Sequence, residues 1–191
     1  MIPNGRAFNG KETFEADGKT FYRSWKISHQ GEFRVVIQVK EIHSTYKQGI
    51  AFSLSSNPAF KGVIRINGQN WPIDRRKRMN HVIPVSLDVP YVQLVLDLDI
   101  QEGYLWIANA SDFLDDYPEL IAKVSAQTGR TREQFRGCTF TSGFSAANMY
   151  GNAFWIETLA ENKFRFHCND HEMDDDFDDL IFDLEIEDNE E

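Results

Sequence analysis

The segment Tyr91 to Ile100, YVQLVLDLDI, alternates with a period of two. Val92, Leu94, Leu96, Leu98 and Ile100 fall on one face; Gln93, Val95, Asp97 and Asp99 fall on the other. Successive side chains of an extended strand point to opposite sides, so this pattern describes a strand with one dry and one wet face. The period recurs along the chain. Phe33, Val35, Ile37 and Val39 share a face, as do Ile50, Phe52 and Leu54, then Ile83, Val85 and Leu87, and finally Leu180, Phe182, Leu184 and Ile186. The same parity predicts one strand over TFYRSWKI, with Phe21, Arg23, Trp25 and Ile27 together. GCTFTSGF, NAFWIETL and KFRFHC extend the series.

Turn chemistry divides these runs. Asn67-Gly68 between VIRI and QNW supplies both positive-φ positions of a type I′ hairpin, and Pro72 consigns its second strand to an edge or an end. Gln101-Glu102-Gly103 predicts a second hairpin into YLWIANA. One helical insertion is expected at about residues 118–136. Pro118 suits a first helical turn, Leu120, Ile121 and Val124 form a short apolar stripe, Gly129 suits a stop, and Thr131 to Gln134 fits a capping box. No βαβ rhythm occurs. The expectation is an all-β, two-sheet sandwich, jelly-roll-like, of about ten to eleven short strands with that single helical insertion. Residues 1–191 read as one domain, with 1–18 an irregular lead-in and 188–191 an acidic tail.

A composition of 41% hydrophobic and 13% aromatic residues describes a globular body. The net charge of −10 is unevenly spread. Residues 1–165 hold 20 Lys/Arg against 17 Asp/Glu, whereas residues 166–191 hold 13 Asp/Glu and no Lys/Arg. This balance argues against nucleic acid as a partner. No apolar run approaches the roughly 20 residues of a membrane-spanning helix, and Met1 to Gly18 lacks a signal-peptide core. The chain as written is expected to be cytoplasmic; a secretion signal removed from it would make it extracellular. Cys138 and Cys168 match no zinc or redox spacing and are expected as buried thiols.

The strongest chemical feature is NDHEMDDDFDD, Asn169 to Asp179, set between two strand patterns. Seven of the ten residues from Asp170 to Asp179 are carboxylates. Ca²⁺ takes about six to eight oxygen ligands, often several carboxylates of one loop. Asp174, Asp176 and Asp178 share a side of an extended segment; Asp170 and Glu172 precede them, and Asp179 can turn in at the end. These six residues are the candidate ligands. His171 and Cys168 admit zinc, but so oxygen-rich a loop favours calcium. The EF-hand pattern fails, because its glycine position is Asp179 and its flanks are strands. A solvated acidic loop without a specific ion gives the same run of residues.

Asp174-Asp175-Asp176-Phe177-Asp178-Asp179-Leu180-Ile181-Phe182 resembles the D-x-D-[FY]-[ND]-D-[LV]-[VI]-[FV] signature near the C-terminus of certain secreted bacterial β-sandwich modules, which are associated with calcium and adhesion. The likeness extends over Asp170 to Phe182. It implies that Asp174, Asp176, Asp178 and Asp179 hold a cation and pin the final strand.

Other candidates compete with simpler readings. Trp71 and Trp106 are candidate ligand-stacking residues of a sugar site, although core packing accounts for tryptophans equally well. Asp97 and Asp99, about 7 Å apart along a strand, have a spacing that glycosidases use and that wet faces produce far more often. Arg75 to Arg78, with Arg130, Arg132 and Arg136, are candidate counter-charges for the acidic segment. No nucleophile elbow, phosphate loop or dinucleotide fingerprint is present. The expected function is a non-catalytic, Ca²⁺-binding module that recognises carbohydrate or a protein surface. The alternative is an acidic inhibitor, immunity-type or mimicking nucleic acid, that binds a basic partner through its C-terminal carboxylates.

Overall fold

The computed structural model describes residues 13–54, 61–71, 80–112, 122, 126, 141–142, 152–170 and 176–188. These residues form two antiparallel sheets. The larger holds nine strands, in the spatial order β1 (Thr13–Ala16), β2 (Lys19–Tyr22), β12 (Ala153–Ala160), β13 (Lys163–Asn169), β14 (Leu180–Asp188), β4 (Gly31–Ile42), β9 (Gln93–Glu102), β6 (Lys61–Ile66) and β7 (Gln69–Asn70). The smaller runs β11 (Thr141–Ser142), β10 (Leu105–Asp112), β5 (Lys47–Ser53) and β8 (Asn80–Pro84), and β3 (Trp25–Ile27) adds to β10. From β4 to β10 the chain passes back and forth between the sheets, as in a jelly roll. Of the expected helical insertion only Ala122 and Ala126 are described, both helical and exposed; the rest lies outside the described residues. No helix among the described residues is long and apolar enough to cross a membrane.

The alternating patterns become the core. Phe33, Val35, Ile37 and Val39 of β4, Leu94, Leu96, Leu98 and Ile100 of β9, and Leu180, Phe182 and Leu184 of β14 are all buried in one cluster. Ile50 and Phe52 of β5 and Leu105 and Ile107 of β10 meet them from the smaller sheet. Each such side chain contributes about 1.5–3 kcal/mol on burial.

Turn chemistry is partly as expected. Asn67 and Gly68 take φ of 48° and 76°, and β6 pairs with β7 across them. A hairpin also lies inside the expected lead-in. Asp17 and Gly18 take φ of 49° and 73° and join β1 to β2, because Asp-Gly supplies the same I′ geometry. The Gln101 to Gly103 turn does not make a hairpin: β9 and β10 belong to different sheets, so the chain crosses the sandwich there. A tight turn determines reversal, not which sheet receives the next strand.

TFYRSWKI is likewise two strands. Phe21 sits in the larger sheet and Ile27 in the smaller, with the crossing at Arg23-Ser24. Leu87 is 54% exposed rather than on a dry face, because β8 ends at Pro84 and the chain turns through Ser86 to Asp88. The expected wet face of β5 is also covered. Ala51 packs with Ala108 and Ala110, and Ser53 is buried.

Between β6 and β9 the register steps by one residue at Lys61/Gly62. A Cβ on Gly62 would lie 2.0 Å from the carbonyl oxygen of Asp99. The obstacle is backbone, which cannot rotate away. Gly62→Ala is expected to destabilise the fold by about 1–3 kcal/mol, read as a lower urea midpoint with an unchanged slope.

Candidate functional site

β13 turns its Phe166 and Cys168 inward, and the same parity carries Asp170 into the space between the sheets. Facing it, Gln48 continues the inward side of β5, and Asn109 and Ser111 continue that of β10. One end of the inter-sheet space is therefore polar. Gln48, Asn109, Ser111, Asn152, Asp170 and Asp179 are all buried there.

Hydrogen bonds tie the cluster. Ser44 Oγ donates to Asp170 Oδ2. Gln48 Nε2 donates to the same oxygen at 3.2 Å and to the Tyr46 carbonyl at 3.2 Å. The Asp170 amide donates to Asp179 Oδ2 at 2.7 Å, joining the two ends of the acidic connection. His43 and Ser44 amides donate to the Asp179 carbonyl at 3.2 and 3.4 Å. Asn109 Nδ2 donates to the Asn169 carbonyl at 2.7 Å, and Ser111 Oγ to Asn152 Oδ1 at 3.1 Å. Among the described residues no donor reaches the buried Oε1 of Gln48 or Oδ1 of Asn109. Such acceptors are uncommon in folded proteins and are the places where water or an ion is expected.

The six candidate ligands divide. Asp170 and Asp179 are buried and bonded together, Asp178 is half-buried and Asp176 is exposed. Glu172 and Asp174 lie outside the described residues. Asp176 and Asp178 do not sit on one extended segment, because Phe177 between them takes φ of 61°. The left-handed turn lets Phe177 reach inward, where it is buried against Phe21 at a centroid distance of 4.9 Å. Asp176 and Asp178 still act together on His43. Its imidazole is raised by its hydrogen bond to Glu41 and by the charges of Asp178 and Asp176. The Cys168 thiol is pushed well above its ordinary value by burial, with Asp179 adding to the shift, so it stays protonated. Cys138 lies outside the described residues. Among the described residues no group of three or more His, Cys, Asp or Glu is arranged to hold a metal ion.

The counter-charges of the acidic strand come from its sheet neighbours. Asp183 pairs with Arg165 Nε at 2.7 Å and with Lys40 at 3.5 Å. Glu185 pairs with Lys163 at 2.6 Å; beyond the sheet, the His29 ring nitrogen lies 2.9 Å from Asp188. Lys163 and Arg165 lie directly opposite Glu185 and Asp183 in the register. Arg75 to Arg78, Arg130, Arg132 and Arg136 lie outside the described residues. On the outer face of β9, Asp97 accepts from Arg34 Nε at 2.8 Å, as a wet-face pair would.

The tryptophans separate as well. Trp71 is 9% exposed, packed into the core with its ring 5.6 Å from that of His81. Trp106 is half-buried and stands edge-on to Tyr104 at 5.4 Å. The sequence reading missed the β8–β9 connection. There Leu87, Val89 and Tyr91 are 54%, 85% and 50% exposed, beside a pocket of about 510 Å³. The pocket is lined by Ile42, Tyr46, Gln48, Val85, Val89 and Tyr91, so it adjoins the polar end through Gln48. The available signal was apolar residues crowded around Pro90 in a turn, where polar ones are usual.

No protein-family model, curated protein or solved structure matches this chain.

Two variants test the geometry. Phe177→Ala removes the buried ring that anchors the acidic connection and should cost about 3–5 kcal/mol of stability in chemical unfolding. Asp183 is raised by burial, but the hydrogen bond and charge of Arg165, with Lys40, outweigh this and bring its carboxyl below 3.8. A lowered folded pKa contributes stability above the unfolded value that is lost as pH falls through the folded one. Urea unfolding from pH 6 to pH 2 should show that loss setting in near and below pH 3.8, and Asp183→Asn should flatten it.

Proposed function

We propose that this chain is a binding module in which the acidic β13–β14 connection takes Ca²⁺ and the adjoining end of the sandwich recognises a carbohydrate or protein surface. The observation that carries this reading is the burial of Asp170 and Asp179 side by side at the polar end of the core. Buried carboxylates need compensation by hydrogen bonds, opposite charge or a cation. Oxygen donors near the neck suit a hard cation in kind: Asp170 and Asp179, bonded together, with Asp176 and Asp178 on the same connection, although the described carboxylates do not by themselves converge on a metal position. Glu172 and Asp174 would complete the oxygen set that Ca²⁺ prefers. The exposed Leu87, Val89 and Tyr91 support a partner-binding role for the same end, because clustered exposed apolar side chains mark interaction surfaces. The acidic-inhibitor reading has less to draw on, since Asp183 and Glu185 are paired with Arg165, Lys40 and Lys163 of their own sheet.

Ligand that binds only the folded state raises stability by mass action, by about 2.7 kcal/mol at a hundred times its Kd. Thermal unfolding in EDTA and through a Ca²⁺ titration should show Tm rising with Ca²⁺. Asp176→Asn/Asp178→Asn should blunt the rise while leaving Tm in EDTA no lower than that of the parent. A flat response of the parent protein up to millimolar Ca²⁺ would remove the metal from the reading.

A further inference from the structure

A second groove, of about 430 Å³, lies between the outermost described strands at one side of the two sheets, β7 and β8. The β6–β7 hairpin forms one bank with Ile66, Asn67, Gln69 and Asn70; β8 forms the other with His81 and Ile83; Trp71 lies between them. We propose that this groove is a subsite for a neutral saccharide, a proposal that rests on the binding-module reading and gives it a ligand class and a place.

The lining determines the class. Among the described residues it contains no Asp, Glu, Lys or Arg; Arg65 reaches it only through Asn70, whose side-chain oxygen its Nε engages. Partial burial lowers the His81 imidazole, which keeps that ring neutral near neutral pH. Three side-chain amides stand together on the hairpin, all on exposed residues. Two are held by their oxygens. Asn67 Oδ1 accepts from the Val95 amide at 2.9 Å, and Asn70 Oδ1 accepts from Arg65 Nε at 3.2 Å. Fixing the oxygen of an amide also fixes the direction of its NH₂ group, so these two donors are oriented before any ligand arrives. Gln69 adds a donor and an acceptor. Asn67 owes its position to the I′ turn, which makes the recognition face part of a rigid hairpin.

Ligand sites combine an apolar lining with a few placed polar groups. Here Trp71, Ile66 and Ile83 are the apolar part and the amides the polar part. The ligand that matches has a C–H face for the first and hydroxyls, which donate and accept, for the second; this is a pyranose. Trp71 acts as a wall rather than an open stacking platform, because only 9% of it is exposed. The amides therefore carry most of the selection. A groove of this size suits one or two sugar rings.

The test is saturation-transfer NMR with millimolar glucose, galactose, mannose, N-acetylglucosamine, cellobiose, maltose, lactose and chitobiose. At least one of these should receive saturation from the protein. Gln69→Ala and Asn70→Ala, both at exposed positions, should reduce that signal at least fivefold with unchanged Tm. Asp176→Asn/Asp178→Asn should leave it unaltered. Trp71→Phe, which keeps an apolar wall, should reduce it by less than the amide variants. Absence of transfer to every probe, or transfer indifferent to Gln69→Ala and Asn70→Ala, would overturn the proposal. The Ca²⁺ response of the same samples separates the two ideas. Stabilisation by Ca²⁺ without sugar binding defeats the groove alone; sugar binding at the groove without a Ca²⁺ response defeats the metal alone.

Discussion

The most acidic strand of the chain, β14, lies in the middle of the larger sheet, hydrogen-bonded to β13 on one side and β4 on the other. A strand in that position has to divide its residues strictly. Leu180, Phe182 and Leu184 go to the core, while Asp183 and Glu185 go to the opposite face, where Arg165, Lys40 and Lys163 wait. A shift of one residue would bury carboxylates and expose the core set, so the register is specified by charge and apolarity together. The acidic final strand is thus an internal part of the sheet, and the charges of Asp183 and Glu185 belong to the lateral pairing of neighbouring strands.

The acidic connection inherits its position from this arrangement. Because β13 and β14 are adjacent, their ends lie side by side, and Asp170 and Asp179 meet at the neck. Phe177 anchors one side of the connection below the surface, and Ser44 from the β4–β5 turn and Gln48 from β5 close over Asp170. Gln48 also lines the apolar pocket, so the neck and the pocket share a side chain.

Much of the fold was legible because alternation is a direct record of which side of a strand is dry. β4, β9 and the inward half of β14 follow it residue by residue. The same record misleads where a strand changes sheets. Phe21 and Ile27 have matching parity yet belong to different layers, and Gly103 has the chemistry of a hairpin but serves a crossing. The site was half legible. Its carboxylates are conspicuous, but their burial is not, because burial is decided by partners far away in sequence. A signal did exist: Gln48 shares parity with Ile50 and Phe52, and Asn109 with Leu105 and Ile107. A polar residue that continues a dry face marks the point where the core becomes a polar cavity. The β8–β9 surface was hidden for the opposite reason, since apolar residues in a turn read as the tail of a strand.

The pairing of β4 with β14 also has a consequence in time. On one edge, residues near position 40 of a chain made from its N-terminus find their neighbours only near position 180. β9, β5 and β10 can cover the other edge of β4 and its apolar face earlier, but the edge that β14 takes stays unsatisfied until almost the whole described chain exists. Non-local pairings of this kind slow folding and lengthen the interval in which exposed strands can meet the wrong partner. Lys40 of β4 and Lys163 and Arg165 of β13 carry like charge, which opposes direct pairing of those two strands until β14 enters between them with Asp183 and Glu185.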